Sequence, residues 1–128
     1  MKPISTDGAP RAIGPYSQAI HSGGFLFTAG QIPLDPATMK LVEGDIDVQA
    51  ERVFDNLQAV LAEAGLTFSD VVKATVFLLR MSDFAKMNEV YGRRFGSHRP
   101  ARSTVAVSEL PAGARLEIDL VAKAKDGA

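Results

Sequence analysis

The run of residues 71–79, VVKATVFLL, constrains the fold of this chain more than any other stretch. Its β-branched and aromatic residues fall on both faces, which is typical of a strand covered on both sides within a sheet. One helix-forming segment precedes it, and another separates it from a strand-forming segment that begins at Arg102. A strand, a crossover helix and another strand imply parallel pairing somewhere in the sheet. We therefore expect an α+β fold, a mixed sheet with both helices packed on one face.

Both helical segments carry signals at their ends. In the first, apolar residues recur at helical spacing, Asp45 or Asp47 can cap the start, and Gly65 suits the position just after the end. In the second, Ser82 or Asp83 can cap the start. Its predicted buried stripe consists of Phe84, Met87, Asn88, Tyr91 and Phe95.

No linker or repeat divides the chain, so residues 1–128 are predicted to form a single domain. Residues 1–15 are rich in Pro, Gly and Ser and indicate a loop. The remaining predicted elements are strands at 16–22 and 25–30 joined across Gly23-Gly24, a turn at 35–38 and a short strand at 39–42.

Residues 100–118, PARSTVAVSELPAGARLEI, predict an antiparallel ribbon around the turn at residues 110–113. Side chains alternate between the two faces of a strand, so Arg102 and Glu117 are expected to share a face. That face would also carry Thr104, Ala106, Arg115, Asp119 and Val121. The other face would join the core through Val105, Val107, Leu116, Ile118 and Leu120. A cation and a carboxylate fixed on one face can form a site for a small molecule.

Two helices cannot cover both faces of such a sheet. Alternation along residues 71–79 places Lys73, Thr75, Phe77 and Leu79 on one face, and Val72, Ala74, Val76 and Leu78 on the other. The second apolar face is most simply buried against another subunit. We therefore expect a homo-oligomer.

Charge and residue usage exclude several classes of function. Acidic and basic residues nearly balance, at 15 and 14 for a net charge of −1, so no basic patch indicates nucleic acid. The absence of cysteine excludes disulfides, a thiolate nucleophile and cysteine-ligated metals. His21 and His98 are isolated, which favours ordinary surface roles over metal binding, and neither a phosphate-binding glycine loop nor a nucleophile elbow occurs. No apolar leader or membrane-spanning stretch is found, so a cytoplasmic, soluble protein is the expectation.

Five residues are candidates for a site, and each also has an ordinary structural interpretation. Arg102 can grip a carboxylate through two N–H groups, or form a weak surface ion pair. Glu117 becomes a usable acid or base if its face is enclosed, and otherwise points to solvent. Asn88, on an apolar stripe, needs a partner that is either backbone or ligand. Tyr16 is a packed aromatic or a hydroxyl donor at a pocket rim, and Gly30 either lets a ligand approach the backbone or marks a bulge.

Four separated blocks of the sequence resemble the RidA (reactive intermediate deaminase A, also YjgF) family. They are residues 100–118, GPYSQAI at 14–20, FTAGQIPLDP at 27–36, and VVKATVFLLRMSDFAKMNEVYGRRF at 71–95. The resemblance covers nearly the whole chain in order. It implies a chorismate-mutase-like (YjgF-like) α+β fold that forms homotrimers, with ligand sites in the clefts between subunits.

The resemblance also implies an activity, the hydrolysis of 2-imino acids such as 2-iminobutanoate and 2-iminopropanoate to 2-keto acids and ammonia, without a cofactor or metal. Arg102 would bind the substrate carboxylate and Glu117 would activate the attacking water. Tyr16 and the backbone at Gly30 would line the pocket. Asn88 matches a further family position, and Thr104 stands where many members carry cysteine, so a backbone contact is retained there and thiol chemistry is excluded.

Other functions stay open. One is a non-catalytic trimer that binds small carboxylates or acts as a chaperone. Another is an endoribonuclease that inhibits translation, which the near-neutral charge disfavours. Chorismate mutase shares the fold but not the sequence signature. The presence of both Arg102 and Glu117 favours catalysis over simple binding.

Overall fold

A computed structural model of the chain describes residues 1–124, which form a six-stranded sheet and two helices. In chain order the elements are β1 (Lys2–Ile4), β2 (Ala19–Ser22), β3 (Phe25–Thr28), α1 (Ile46–Glu63), β4 (Val71–Leu78), α2 (Phe84–Phe95), β5 (Ala101–Ala106) and β6 (Leu116–Lys123). The spatial order is β1-β2-β3-β6-β4-β5. Only the β4–β5 pair is parallel among these strands, so the predicted mixed α+β sheet is confirmed.

Both helices pack on one face of the sheet, as predicted. Along β4 and β6 the side chains alternate between buried and partly exposed, which is the pattern of a sheet covered on one side. The fully buried strand residues include Leu26, Ala74, Val76, Leu78, Leu116 and Ile118. The helices bury Phe54, Leu57 and Met87 in the same cluster. This apolar layer is the core.

Arg115 joins the N-termini of the two helices. Asp45 precedes α1 and Asp83 precedes α2, so both predicted cap positions are correct, yet neither side chain caps its own helix. Instead, Nη1 of Arg115 donates to Asp45 at 2.8 Å, while Nη2 donates to Asp83 at 2.8 Å and Nε donates to the other Asp83 oxygen at 3.3 Å. The end of α1 is as expected, because Gly65 takes a φ of +75°.

The predicted stripe of α2 is correct at three of its five positions, and Phe84 is partly buried against the core. Met87, Tyr91 and Phe95 are buried. Asn88 is exposed, and Val90 is buried instead. The prediction for Asn88 was wrong because the buried stripe lies to one side of it, which places the amide at the edge of the packed face.

The predicted ribbon of residues 100–118 does not form, because β4 lies between β5 and β6. Backbone hydrogen bonds attach both ends of the β5–β6 connection to the end of β4. The Val107 N–H donates to the carbonyl of Leu78, and the Leu79 N–H donates to the carbonyl of Arg115. A short 3-10 turn, Pro111–Gly113, makes the crossing between these two bonds. The residues that alternation assigned to the core face of the ribbon therefore do not all join the core, and Val105 is 44% exposed.

The strand pairing also overturns the prediction that Arg102 and Glu117 share a face. Arg102 pairs with Ala74 of β4, whose side chain is buried under the helices. Glu117 pairs with Phe77 of β4. Positions 74 and 77 of one strand face opposite ways, so Arg102 lies on the helix-covered face and Glu117 on the open face.

The N-terminal predictions are partly correct. The hairpin across Gly23-Gly24 is confirmed, with positive φ at both glycines as a tight turn requires. The turn at 35–38 is confirmed, since the Asp35 carboxylate accepts from the Ala37 N–H at 2.8 Å. Residues 1–15 are not all loop, because Lys2–Ile4 pairs with β2. The strand predicted at 39–42 is reduced to one isolated bridge at Leu41.

The face of the sheet away from the helices is uncovered in a single copy of the chain. Phe25, Phe27 and Val105 on this face are between 36% and 47% exposed. A bulge between Val71 and Lys73 also turns Val72 outward, so it does not join Ala74 on the buried face as alternation predicted. Within residues 1–124 no helix is long and apolar enough to cross a membrane.

Candidate functional site

The guanidinium of Arg102 is held in place by α2. Its central carbon lies 4.7 Å from the ring centre of Tyr91 and 5.4 Å from that of Phe84. Its Nη1 donates to the Oδ1 of Asn88 at 2.6 Å. The faces of aromatic rings attract cations, so the two rings and the amide together fix the position and orientation of the charge.

Arg102 has no carboxylate partner among residues 1–124. By contrast, Arg94 bonds Glu51 and Asp55, and Arg115 bonds Asp45 and Asp83. The bond to Asn88 uses a single N–H group of Arg102. A half-buried, fixed guanidinium with unused donors is suited to gripping a carboxylate from outside the chain.

A cavity of about 430 Å³ opens beside this guanidinium, which is within the range of small-molecule pockets. Its lining consists of Asn88, Tyr91, Gly92, Arg99, Pro100 and Arg102. No acidic side chain is in this lining. The Tyr91 hydroxyl is buried and has no hydrogen-bond partner within the described chain. Burial raises the pKa of Tyr91, although the charges of Arg102 and Arg99 oppose this rise.

Glu117 lies against Gly30 on the open face. A Cβ at position 30 would be 2.1 Å from Oε2 of Glu117 and 2.9 Å from its Cγ. Only glycine leaves this space to the carboxyl group. Gly30 therefore makes room for Glu117, a role that the sequence did not predict.

The protonation of Glu117 is shifted by its surroundings. Burial raises the pKa of Glu117, and the negative charge of Asp119 raises it further. Burial likewise raises the pKa of Asp119, against a hydrogen bond from Thr75 that lowers it. The Glu117 carboxyl has no hydrogen-bond or ion-pair partner within residues 1–124. A carboxyl group with a raised pKa and unused oxygens can accept and return a proton.

Two other candidates lie apart from these groups. Tyr16 is 54% exposed in the loop before β2, and its hydroxyl accepts from the Ile13 N–H at 3.4 Å. Thr104 follows Arg102 on the same face of β5, with a buried hydroxyl that has no partner in the described residues. One copy of the chain thus brings Arg102 together with Asn88, and Glu117 together with Gly30, on opposite faces of the sheet.

Sequence reasoning missed Tyr91 and Arg99 as site residues. Tyr91 was assigned only to the core, although it follows Asn88 by three positions and such residues are neighbours on a helix. Arg99 was not considered, although it precedes Arg102 across a proline. No cluster of three or more His, Cys, Asp or Glu side chains in residues 1–124 is arranged to hold a metal ion.

Comparison with known proteins places these features in context. The profile of the family described as Endoribonuclease L-PSP matches residues 6–124. A RutC family protein from Pyrococcus abyssi is 54% identical over 119 residues, which cover 93% of this chain and 94% of that protein. The solved structure of RidA from an Antarctic Psychrobacter is 43% identical, with a TM-score of 0.92 over 96% of this chain and 99% of that one. The solved structure of E. coli TdcF with bound serine is 41% identical, with a TM-score of 0.92 over 98% of this chain and 100% of that one.

Proposed function

Since the chain belongs to the RidA (YjgF) family, also described as the endoribonuclease L-PSP family, we propose that it hydrolyses reactive 2-imino acids to 2-keto acids and ammonia in the cytoplasm. Two substrates of this class are 2-iminopropanoate and 2-iminobutanoate. The observation that carries the proposal is the fixed guanidinium of Arg102, which is half-buried and has no carboxylate partner within residues 1–124.

Arg102 binds the carboxylate of the substrate. The carboxylate accepts from the N–H groups that Asn88 does not occupy, while Tyr91 and Phe84 keep the guanidinium plane in place. This binding fixes the position of the adjacent imine carbon. Substrate positioning of this kind supplies proximity and orientation, which are large contributions for a reaction that already proceeds slowly in water.

Glu117 activates the attacking water. The water oxygen bonds to the imine carbon as Glu117 accepts a proton from the water, giving a carbinolamine. Glu117 then gives this proton to the nitrogen, and as the carbon–nitrogen bond breaks the hydroxyl proton passes back to Glu117, so that ammonia leaves and the 2-keto acid forms. The protonated imine is already electrophilic, so this sequence calls for neither a covalent nucleophile nor an oxidant.

The two halves of the site come from two copies of the chain. Arg102 and Glu117 lie on opposite faces of the sheet, so one copy cannot present both to a small molecule. We propose a homotrimer in which Arg102, on edge strand β5 of one copy, faces Glu117 on the open sheet face of the next. Tyr16 and the backbone at Thr104 would line the same cleft. Such packing would also cover the exposed Phe25 and Phe27.

A coupled assay tests the activity. A threonine dehydratase generates 2-iminobutanoate from threonine, and semicarbazide traps the imine that remains. The protein should lower the yield of trapped imine and speed the release of 2-oxobutanoate. Unchanged kinetics, or an Arg102→Ala variant as active as the parent, would contradict the proposed mechanism.

A non-catalytic carboxylate-binding protein is the second candidate, because the serine-bound relative holds an amino acid and Arg102 could bind a carboxylate without Glu117. The same assay separates the two functions, since a simple binding protein would protect the imine or leave it unaffected. Endoribonuclease activity, which the family description mentions, is disfavoured by the net charge of −1.

A further inference from the structure

We propose that Arg99 forms a second carboxylate subsite in the cavity of Arg102, so that the preferred ligands are 2-imino acids with a second carboxylate on the side chain. The reaction itself rests on the proposed function above. The preference for a dicarboxylic acid is a separate claim, because it concerns which acid binds and can be measured without turnover.

The charge of Arg99 is held at the cavity by backbone carbonyls. Its Nη1 donates to the carbonyl of Gly96 and, at 2.9 Å, to that of His98. Both acceptors lie just beyond the C-terminal end of α2. These two bonds position the guanidinium, and its Nη2 and Nε groups have no acceptor within residues 1–124. Arg99 therefore retains donors for a ligand after its structural bonds are made.

The cavity combines two cations with a buried, unpartnered hydroxyl. Arg99 and Arg102 both line it, and none of the lining residues is acidic. The central carbon of Arg102 lies 4.7 Å from the ring centre of Tyr91, and Arg99 lines the same cavity as that ring. The hydroxyl oxygen is buried and has no hydrogen-bond partner within the described chain. Two cations without an acidic partner in one cavity indicate a ligand with two negative groups.

The size of the cavity agrees with a dicarboxylic ligand. At about 430 Å³ it lies in the range of pockets that enclose whole small molecules, which is generous for an acid of three or four carbons. With the first carboxylate on Arg102, a side chain of two further methylene groups would extend its second carboxylate across the cavity toward Arg99.

The test compares two stable 2-keto acids of equal chain length, 2-oxoglutarate and 2-oxopentanoate, by isothermal titration calorimetry. The parent should bind the dicarboxylate at least about tenfold more tightly, the effect of one charge-assisted contact. Arg99→Gln should reduce this ratio to near one, and Arg99→Lys should retain most of it. Arg80→Gln is the matched control, because Arg80 is exposed and its side chain has no hydrogen-bond or ion-pair partner within the described residues. It should leave the ratio unchanged.

Equal affinity of the parent for the two acids would overturn the inference. So would an Arg99→Gln variant that weakens both acids by the same factor, because Arg99 would then act only on the carboxylate that the two acids share. A failure of the proposed function has a different signature: imine hydrolysis would not be accelerated, while the binding ratio and its dependence on Arg99 would persist.

Discussion

Arg102 and Glu117 are placed on opposite faces of the sheet by their pairing with Ala74 and Phe77 of β4. The helix-covered side holds the guanidinium against α2, and the open side holds the carboxyl against Gly30. Because β4 separates the two groups, no movement of side chains in one copy can bring both to one small molecule. A catalytic pair of these residues therefore has to be assembled from two copies.

Replacing Arg102 should weaken substrate binding more than any other single change. Charge-assisted hydrogen bonds contribute about 1.5–3 kcal/mol, so Arg102→Ala should lower kcat/KM about 10- to 100-fold, chiefly through KM. Arg102→Lys should recover little, because an ammonium lacks the planar fork and its stacking on Tyr91. Steady-state kinetics of both variants beside Arg80→Ala, an exposed arginine, is the measurement. Equal effects at positions 80 and 102 would contradict this role.

Glu117→Gln should make the protein more stable and less active. The unfolded carboxyl titrates near 4.5, and the folded one at higher pH, so the folded state binds more protons between these values. The free energy of unfolding of the parent therefore falls as pH rises through that window. That of the variant does not, because glutamine does not titrate. Thermal unfolding at several pH values should show that the variant is more stable than the parent at neutral pH, and that this difference vanishes below pH 4.5. The kcat should drop about 100-fold or more. Glu109→Gln, at an exposed glutamate, should change neither quantity.

Gly30→Ala should act through Glu117. The added methyl group would collide with the Glu117 carboxyl and push it aside, since Oε2 lies 2.1 Å from the ideal Cβ position. In a double-mutant cycle, the cost of Gly30→Ala should shrink in a Glu117→Ala background, with a coupling of about 0.5–3 kcal/mol in urea unfolding. Additive effects would show that position 30 is restricted by something other than Glu117.

Arg115→Ala should destabilise the fold. Asp83 is only 8% exposed, and losing its bidentate partner leaves its carboxylate buried without an ion pair. The expected cost is about 2 kcal/mol in urea unfolding. Arg93→Ala is the matched control, because Arg93 pairs with Glu51 while 61% of its side chain is exposed, and should change stability by less than about 0.5 kcal/mol. Equal losses of stability in the two variants would mean that the ion pairs of Arg115 contribute no more than an ordinary surface ion pair.

The helices and the parallel pair could be predicted because their signals are local. The spacing of apolar residues located α1 and α2, and the crossover helix indicated a parallel pair somewhere in the sheet, which the structure shows to be β4 and β5. The pattern of residues 100–118 supplied Arg102 and Glu117 as candidates, and the family resemblance supplied their roles.

The faces of the sheet on which Arg102 and Glu117 lie could not be predicted. Alternation along a strand assigns a side chain to a face of the sheet only after the neighbouring strand is known. The turn at residues 110–113 suits a hairpin as well as the observed crossing, and nothing local reveals that β6 pairs with the far edge of β4. The prediction that Asn88 is buried was wrong for a related reason. A shift of one position around α2 decides between the core and the cavity, and helical periodicity does not resolve it.

Subunit mixing tests most directly the central claim, that Arg102 of one copy and Glu117 of another form each site. Arg102→Ala and Glu117→Gln chains, each with little activity at substrate concentrations well below the KM of the parent, are unfolded together in urea and refolded, with the parent treated and assayed in the same way. Light scattering should report trimers, and each mixed trimer should contain roughly one intact site out of three. The mixture should regain roughly a quarter of the parent's rate of imine hydrolysis. A mixture no more active than the two variants refolded separately would contradict the shared site.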